Sequence, residues 1–407
     1  MKSDIDALMQ EQHLDAILVL GNASHNPAMT YLTGGCHVNK AVLLKKQGAE
    51  AVLFCNLMER EEAGKSGLKV RTMPVWPMEA FCNQKGLKLL EEAGLTAGRV
   101  GVFGHAEIST SLAMIEALKV GNPSLEFVGL LGEIGVFQRA METKDIGEVE
   151  RIRRMGKITV DVVRQTADYL TSREVREDET LLKENGAPLT IGDVHSKIRL
   201  WVAEHGAELP AGFIFSIGRD AGVPHSIGTA EDLIRLGKPI IFDIYPSEPG
   251  GGYFYDFTRT WSLGYASHEA QELYNQVHEV FSRLVNHFTA NAPFKTFEVM
   301  TCDYFESKGH PTKRSHPPAP LEGYVHSLGH GVGLNIHERP QSALNKPEDH
   351  VLKPGVVFTC EPGLYYPDRE MGFRLEDTFW MNSHGQAEIL VDYPYDFVLK
   401  MKKWNKN

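Results

Sequence analysis

The pattern of apolar residues changes near residue 142, and this change restricts the fold more than any other feature. Before it, short apolar runs such as "LDAILVLGN", "KAVLLKK" and "GRVGVFG" alternate with helical patterns such as "STSLAMIEALKV". This alternation predicts a small α/β domain. At the change, Asp145 is followed three residues later by Glu148, a helix-start signal, and apolar residues then recur every three or four positions. The sequence therefore predicts one domain over residues 1–142 and a second over 143–407.

The second predicted domain combines helical and hairpin-like segments. Its helical patterns include "SHEAQELYNQVHEVFSRLVNHFTA" and "TFEVMTCDYFESKG", and its strand-like runs include "KPIIFDIY", "GVVFTCEPGLYY" and "GFRLEDTFWMN". Helices grouped between such strands predict an α+β fold in which helices cover one face of an antiparallel sheet.

Composition restricts the partners. The 407 residues include 42 Lys and Arg against 53 Asp and Glu, and the net charge of -11 favours neither nucleic acid nor an anionic membrane as a partner. No apolar run approaches the length of a membrane helix and the start "MKSDIDALMQEQ" lacks the features of a secretory signal, so we expect a cytoplasmic protein. The five cysteines show no CxxC spacing, which indicates reduced thiols.

Two aspartates lie in strand-like runs on either side of a "PGGG" turn. Asp243 and Asp256 are equidistant from the midpoint between Pro249 and Gly250, so a simple hairpin turning there would place them directly opposite one another. Like charges across a strand pair are destabilising unless a cation lies between them, and carboxylates are the ligands that hard divalent metals prefer. The alternative is that both are solvent-exposed turn residues.

Two glutamates occur in similar settings. Glu361 in "VVFTCEPG" lies near the end of an apolar run, and Glu376 in "FRLEDTFW" lies inside a strand pattern. Taken singly, an acid in a strand is more often a surface residue on the alternating face. Four acids inside or at the ends of strand-like runs together favour a shared acidic site.

Histidines supply further candidate groups. The segment "YVHSLGHGVGLNIHERP" contains His326, His330 and His337, and a spacing of four puts the first two on one side of either a helix or a strand. The intervening glycines argue against a helix, and Ser327 stands where a thermolysin-like HExxH motif needs glutamate. The alternatives are hydrogen-bonded core histidines for this trio and a plain loop residue for His225 in "DAGVPHSIG".

Four carboxylates and one imidazole make an oxygen-rich set of donors. Such a set favours manganese, iron, cobalt or zinc in a pair over a single zinc bound by thiolates. Two metals can lower the pKa of a bridging water and polarise a carbonyl oxygen, which permits amide hydrolysis without a covalent intermediate. Histidines that do not bind metal would then hold the developing charge on the carbonyl oxygen.

In type and order, these residues resemble the ligands of the pita-bread metallopeptidases, the family of aminopeptidase P, prolidase and methionine aminopeptidase. The resemblance is carried by "FDIY", "YDFTRTW", "SLGHGVG", "CEPGLY" and "RLED". It implies a C-terminal pita-bread fold and two divalent metal ions, Mn2+ before Co2+, Zn2+ or Fe2+. The five ligands that it implies are Asp243, Asp256, His330, Glu361 and Glu376.

The resemblance also implies a role for each ligand. Asp243 would chelate one metal and His330 the other. Asp256 and Glu376 would bridge the two metals. Glu361 would both ligate a metal and act as general base for the bridging water.

Four further residues match the family outside the ligand set. His225, His326 and His337 match histidines that contact the scissile carbonyl and its flanking residues, so they are expected to be catalytic and to bind substrate. Arg374, two residues before Glu376, resembles the Xaa-Pro branch and is expected to bind substrate. The N-terminal domain resembles the smaller creatinase-type domain of prolidase and aminopeptidase P.

Together these resemblances imply a homodimeric Xaa-Pro aminopeptidase or Xaa-Pro dipeptidase that acts on short proline-containing peptides. Three alternatives use the same scaffold: another metal-dependent hydrolase or lyase, a metal-free C–N hydrolase as in creatinase, and a non-enzymatic binding protein. Relatives of the last two kinds lack metal ligands, and no ligand is missing here. One departure is the segment "IYPSEPGGGYFY", which is longer and richer in glycine than the usual family turn.

Overall fold

The computed structural model describes residues 1–130, 135–318 and 320–404. The chain forms two compact units. The first consists of Met1–Glu142 and Pro249–Gly252, and the second of Thr143–Glu248 and Tyr253–Asn407. Among the described residues, no helix combines the length and the apolar character needed to cross a membrane.

The first unit is an α/β unit built on a mixed sheet. Its strands are β1 (Ala16–Gly21), β2 (Ala41–Lys46), β3 (Val52–Asn56), β4 (Lys69–Met73), β5 (Gly98–His105) and β6 (Leu125–Val128). Its helices are α1 (Ile5–Glu11), α2 (Pro27–Thr33), α3 (Arg60–Gly64), α4 (Pro77–Phe81), α5 (Gln84–Glu92), α6 (Ile108–Gly121) and α7 (Val136–Met141). The strand order is β4-β3-β2-β1-β5-β6, with β1 parallel to β5 and antiparallel to β2.

The glycine-rich segment Pro249–Gly252 groups with this first unit. The carbonyl of Gly250 accepts a hydrogen bond from the backbone N–H of His25 at 2.9 Å. A Cβ atom on Gly251 would lie 2.6 Å from the backbone of His25, so only glycine permits this approach. Both glycines have positive φ angles, 78° and 82°, which glycine adopts at no steric cost. Close backbone packing therefore explains the glycines that depart from the family turn.

The second unit combines long helices with antiparallel sheets. Its helices are α8 (Ile146–Thr171), α9 (Ile191–Glu204), α10 (His268–Val285) and α11 (Lys295–Ser307). Its strands are β7 (Glu174–Val175), β8 (Leu181–Leu182), β9 (Phe213–Ile217), β10 (Pro239–Ile244), β11 (Phe257–Leu263), β12 (His330–Gly331), β13 (Glu338–Gln341), β14 (Val357–Cys360), β15 (Gly363–Tyr366), β16 (Met371–Arg374), β17 (Asp377–Met381), β18 (Ala387–Ile389) and β19 (Val398–Leu399).

These strands form two larger sheets, in the orders β19-β11-β10-β9 and β13-β12-β14-β17-β18, and the hairpins β7-β8 and β15-β16. Apart from the parallel pair β11 and β19, the pairings between these strands are antiparallel. A bridge between Thr258 and Glu376 links the start of β11 to the segment between β16 and β17.

Helix α8 begins where the sequence predicts. The carboxylate of Asp145 accepts a hydrogen bond from the backbone N–H of Glu148 at 2.9 Å, and that of Glu148 accepts from the backbone N–H of Asp145 at 2.8 Å. This capping box satisfies two N–H groups that the first helical turn leaves without partners.

An aromatic core holds the strands that lead into the acidic segments. Phe358 on β14 and Phe379 on β17 are fully buried. Both pack against Phe288, which follows helix α10, and Phe379 also packs against Phe281 within that helix. Burying one such side chain contributes about 1.5–3 kcal/mol to stability. The packing of Phe358 restrains the strand that leads to Glu361, and the packing of Phe379 restrains the strand that follows Glu376.

The predicted register of the aspartate hairpin is wrong by two residues. In the β10–β11 pair, Asp243 lies opposite Thr258, and Asp256 immediately precedes the paired residues of β11. The prediction assumed a simple hairpin centred between Pro249 and Gly250, whereas the tip Pro249–Gly252 belongs to the first unit and the strands pair around a different centre. Asp256 is therefore a diagonal neighbour of Asp243, still on the same face of the sheet.

Candidate metal centre and active site

Three predicted ligands meet in one buried cluster. Asp256, His330 and Glu376 each offer a ligand atom, and these atoms lie within 4.8 Å of one another. Asp256 precedes β11, His330 begins β12, and Glu376 lies between β16 and β17, so three separate segments converge. The cluster therefore depends on the tertiary fold and not on any single local motif.

The other two predicted ligands adjoin this cluster. Glu361 follows β14, and its Oε1 atom lies 3.4 Å from Nε2 of His330. Asp243 lies on β10, and its Oδ2 atom accepts a hydrogen bond from Nη2 of Arg374 at 2.5 Å. All five predicted ligands line one cavity of about 480 Å³.

Close glycine packing shapes the loop that carries His330. A Cβ atom on Gly329 would lie 2.2 Å from the carbonyl oxygen of Thr359, and one on Gly331 would lie 2.0 Å from that of Arg339. Neither contact is possible for a residue with a side chain, so both positions require glycine. The predicted absence of a helix at His326 and His330 is confirmed.

In each of three carboxylates of the site, one oxygen accepts a hydrogen bond from another group of the protein. Asp256 Oδ1 accepts from the backbone N–H of Phe257 at 3.0 Å, and Glu376 Oε2 accepts from the hydroxyl of Thr258 at 2.7 Å. Arg374 holds Oδ2 of Asp243. Within the described residues, Asp243 Oδ1 and Glu376 Oε1 are buried and have no hydrogen-bond partner. Unpartnered buried carboxylate oxygens are costly, and a metal ion would satisfy them.

Burial and mutual repulsion make these acids hard to ionise. Burial raises the pKa of Asp256 well above its ordinary value, and the charges of Asp243 and Glu361 add to this. Burial, followed by repulsion from Asp256, likewise raises the pKa of Glu376. The pKa of Glu361 rises to about 8, chiefly through burial. A cation among these groups would reverse the penalty because it favours the ionised forms.

The imidazole of His330 presents a lone pair to the acids. Its Nδ1 atom lies 3.1 Å from the carbonyl oxygen of Gly331, which can only accept, so Nδ1 carries the proton. Burial, with help from His337, lowers the pKa of His330 to about 3 and keeps the ring neutral. Its Nε2 atom lies 3.6 Å from Asp256 Oδ2 as well as near Glu361. A lone pair facing two carboxylates fits a shared metal ion.

The remaining predicted histidines also line the cavity. His326 is held at both ring nitrogens: Nδ1 lies 2.8 Å from the carbonyl oxygen of Ser327, and Nε2 lies 2.8 Å from the hydroxyl of Tyr365. The ring of His337 stands perpendicular to that of His330, with centroids 4.3 Å apart. His225 is exposed and lies in a turn. The structure thus brings all three to the cavity, with different degrees of restraint.

Arg374 is buried beside the acids. Its side chain is 3% exposed, and its guanidinium donates to the hydroxyl of Tyr365 at 2.6 Å as well as to Asp243. Through Tyr365 it is connected to His326. The sequence predicts that Arg374 binds substrate, and this stays a prediction. In the structure its guanidinium contacts Asp243 and Tyr365.

Sequence reasoning missed several residues of this site. Tyr365 connects Arg374 with His326, and Thr258 orients Glu376. Tyr245, two residues after Asp243, also lines the cavity. Tyr365 and Thr258 lie within quoted motifs, "GLYY" and "YDFTRTW", but their hydroxyl groups do not stand out because tyrosine and threonine are common in strands.

Comparison with known proteins matches two family models to separate parts of the chain. Residues 150–383 match the model of metallopeptidase family M24, and residues 3–135 match that of the creatinase/prolidase N-terminal domain. A relative named Xaa-Pro dipeptidase from Pyrococcus furiosus is 26% identical over 394 residues, which cover 96% of this chain and 98% of the relative.

Two solved structures are similar in fold over almost the whole chain. One is titled Xaa-Pro dipeptidase from Bacillus anthracis, with a TM-score of 0.76 and 23% identity, covering 98% of this chain and 99% of that one. Another is an X-Pro aminopeptidase from Thermotoga maritima MSB8, with a TM-score of 0.74 and 22% identity, covering 95% and 97%. The predicted pita-bread fold with a creatinase-type N-terminal domain is confirmed. The chain is a metallopeptidase and belongs to metallopeptidase family M24.

Proposed function

We propose that the protein hydrolyses the bond between the first residue and proline at the N-terminus of short peptides, using two divalent metal ions. The observation that carries this proposal is the set of four carboxylates and one imidazole around a single cavity, with two buried carboxylate oxygens unsatisfied by any described residue. The Xaa-Pro dipeptidase relative supports proline-containing peptides as the substrate class.

The five ligands would be Asp243, Asp256, His330, Glu361 and Glu376. Bound metals would supply an activated water and a polarised carbonyl. Glu361 would take a proton from the attacking water, since its carboxylate lies beside His330. That proton would finally reach the proline nitrogen as the C–N bond breaks, leaving a free carboxylate on the first residue.

The other cavity residues would bind and orient the peptide. His225 and His337 would donate hydrogen bonds to the scissile carbonyl and its neighbours. His326, fixed by Ser327 and Tyr365, would form a rigid side of the same pocket. The cavity wall also includes apolar side chains that suit a proline ring, namely Ala211, Ile214, Ile227 and Ile336.

The test uses purified protein with Mn2+ or Co2+ and two matched peptide series. Xaa-Pro dipeptides measured beside Xaa-Pro-Yaa tripeptides distinguish a dipeptidase from an aminopeptidase, and Xaa-Ala peptides are the control. We expect Xaa-Pro cleavage that stops with a chelator and returns with metal, with about two metal ions per chain by elemental analysis. A metal-loaded sample that cleaves no Xaa-Pro peptide contradicts the proposal.

Three further features stay predictions. They are Mn2+ as the preferred native metal, a homodimer, and a cytoplasmic location. Reconstitution with single metals tests the first, sedimentation of the purified chain tests the second, and cell fractionation tests the third.

A further inference from the structure

Glu298 is a fully buried carboxylate that the proposed chemistry does not use. It lies in helix α11, its side chain is 0% exposed, and it is not among the described residues that line the cavity. Burial raises its pKa, and Lys313 opposes this. A buried carboxylate costs several kcal/mol unless charges or hydrogen bonds compensate it, so its partners indicate what it stabilises.

One donor to Glu298 comes from the loop between two site histidines, and the others flank that loop. Its Oε2 atom accepts from the backbone N–H of Leu328 at 2.7 Å and from the hydroxyl of Ser342 at 3.2 Å. Tyr324 donates to the same oxygen at 3.1 Å. Leu328 lies between His326 and His330 in the sequence, so Glu298 contacts the loop that carries both rings.

Two of these contacts continue to the acidic site. The carbonyl oxygen of Leu328 accepts a hydrogen bond from the backbone N–H of Glu361 at 2.8 Å. Ser342 accepts from the backbone N–H of Gly329 at 3.0 Å through its hydroxyl, and its own N–H donates to the Gly329 carbonyl at 3.0 Å. Glu298 therefore holds a backbone segment that is bonded to Glu361 on one side and continues into His330 on the other.

A third connection runs through a lysine. Nζ of Lys313 lies 3.3 Å from Glu298 Oε1 and donates to the hydroxyl of Ser327 at 2.7 Å. The carbonyl oxygen of Ser327 in turn accepts from Nδ1 of His326 at 2.8 Å. The buried charge pair thus restrains the residue that fixes the orientation of His326.

We propose that Glu298 is a positioning residue, which sets the loop of His326 and His330 relative to Glu361 and so places the metal and substrate groups. This inference rests on the proposed function for its effect on turnover, but its effect on metal binding is independent of the substrate. Groups that orient metal ligands typically change metal affinity or activity by about 10–100-fold when removed.

The test compares Glu298→Ala, Glu298→Gln and Ser342→Ala. Glu298→Ala removes every acceptor. Ser342→Ala removes only the hydroxyl that donates to Glu298 and accepts from the Gly329 N–H, and it leaves the backbone bond from Ser342 to the Gly329 carbonyl, so it is the variant to use if Glu298→Ala does not fold. Glutamine keeps an acceptor for the Leu328 N–H but removes the charge that faces Lys313, so we expect Glu298→Gln to fall between the wild type and Glu298→Ala. Glu279→Gln is the matched control, because Glu279 also accepts from a tyrosine hydroxyl, that of Tyr304 at 2.7 Å, outside the loop.

Two readouts separate positioning from simple loss of folding. The first is Co2+ affinity and the visible absorption spectrum of the cobalt-loaded protein, which needs no peptide. The second is kcat and KM per folded, metal-loaded chain. We expect both alanine variants to change the cobalt spectrum, weaken Co2+ binding and lower kcat by about 10–100-fold, with a smaller change in KM.

Outcomes for this inference and for the proposed function are distinguishable. If the wild type cleaves no Xaa-Pro peptide but the alanine variants change cobalt binding, the proposed function fails and the positioning role stands. If the folded alanine variants bind Co2+ with wild-type affinity and spectrum, Glu298 has no positioning role. Folded Ser342→Ala alone decides this question if Glu298→Ala does not fold.

Discussion

Two clusters of buried charge lie in the second unit, and they differ in how their charges are satisfied. In one, Arg259 is 1% exposed and donates to the carboxylate of Asp377 at 2.9 Å and to four backbone carbonyl oxygens. Asp377 also accepts from the hydroxyl of Tyr395 at 2.5 Å. Burial still raises the pKa of Asp377, but Arg259 and Tyr395 oppose this, and both carboxylate oxygens of Asp377 have hydrogen-bond partners within the protein.

The acidic site is compensated only in part. Arg374 pairs with Asp243, but Asp256, Glu361 and Glu376 have pKa values raised first by burial and then by the acids around them, with Arg374 lowering them. The comparison teaches that burial of charge alone does not mark a functional site. A cluster whose charges are balanced stabilises the fold, and one with surplus negative charge indicates a place for a cation.

The largest expected effect is on activity at the acidic site. Glu361→Gln keeps the shape of the side chain but removes the carboxylate that we propose takes the proton from water. We expect kcat on an Xaa-Pro peptide to fall by about 10²–10⁴-fold. Steady-state kinetics at saturating metal measures this, and the free energy of unfolding of the metal-free variant should not fall below that of the wild type.

Turnover of Glu361→Gln near the wild-type rate would remove Glu361 as the base. If Glu361→Gln lowered the free energy of unfolding by about 3–5 kcal/mol, the loss expected for Arg259→Met, that result would also contradict the distinction between the two clusters. Glu279→Gln is a suitable control because Glu279 is bound to Tyr304 and Arg283 on the helical side of the unit.

The next largest effect is on stability at the balanced cluster. Arg259→Met leaves Asp377 buried without its positive partner, and breaking such a pair costs about 3–5 kcal/mol. Denaturant unfolding measures the change. The matched control is Arg164→Met, since Arg164 pairs with Asp161 on the surface, where an ion pair contributes about 0–1 kcal/mol. Equal losses in the two variants would show that the balanced cluster contributes no more than a surface pair.

The sequence predicts the helix start at Asp145 from a local pattern, whereas the grouping of the acids is predicted from acids in strand-like runs and from the resemblance of their motifs to a known family. A capping box is read from two residues three apart, and strand-like runs ending in acids indicate a shared edge. The register of Asp243 and Asp256 was not predictable in this way. It depends on the segment Pro249–Gly252, which packs with the first unit through His25, and no local pattern carries that contact.

Glu298 shows a second limit of the sequence. In "TFEVMTCDYFESKG" it resembles any polar residue of an amphipathic helix, and glutamate is rarely buried. Its burial follows from Leu328, Ser342 and Lys313, which lie 15 to 44 residues away in the sequence. Residues that position a site through backbone groups of distant segments carry no signal of their own in a single sequence.

The last expected effect is the pH dependence of stability without metal. The pKa of Glu361 rises from 4.5 to about 8 on folding, and those of Asp256 and Glu376 shift in the same direction. Because the folded state then binds more protons than the unfolded state, stability falls as pH rises between about pH 5 and pH 8. The slope is about 1.4 kcal/mol per pH unit for each proton involved.

Unfolding measured across this range with a chelator and with excess Mn2+ tests the origin of that slope. Metal favours the ionised carboxylates, so the metal-loaded protein should lose the decrease in stability with rising pH. In the metal-free protein, Glu361→Gln should reduce the slope because one titrating group is gone, whereas Arg164→Met should leave it unchanged. If the slope is equal with and without metal, a cation does not compensate the surplus negative charge of the acidic site. The distinction between the acidic site and the Arg259 cluster would then fail.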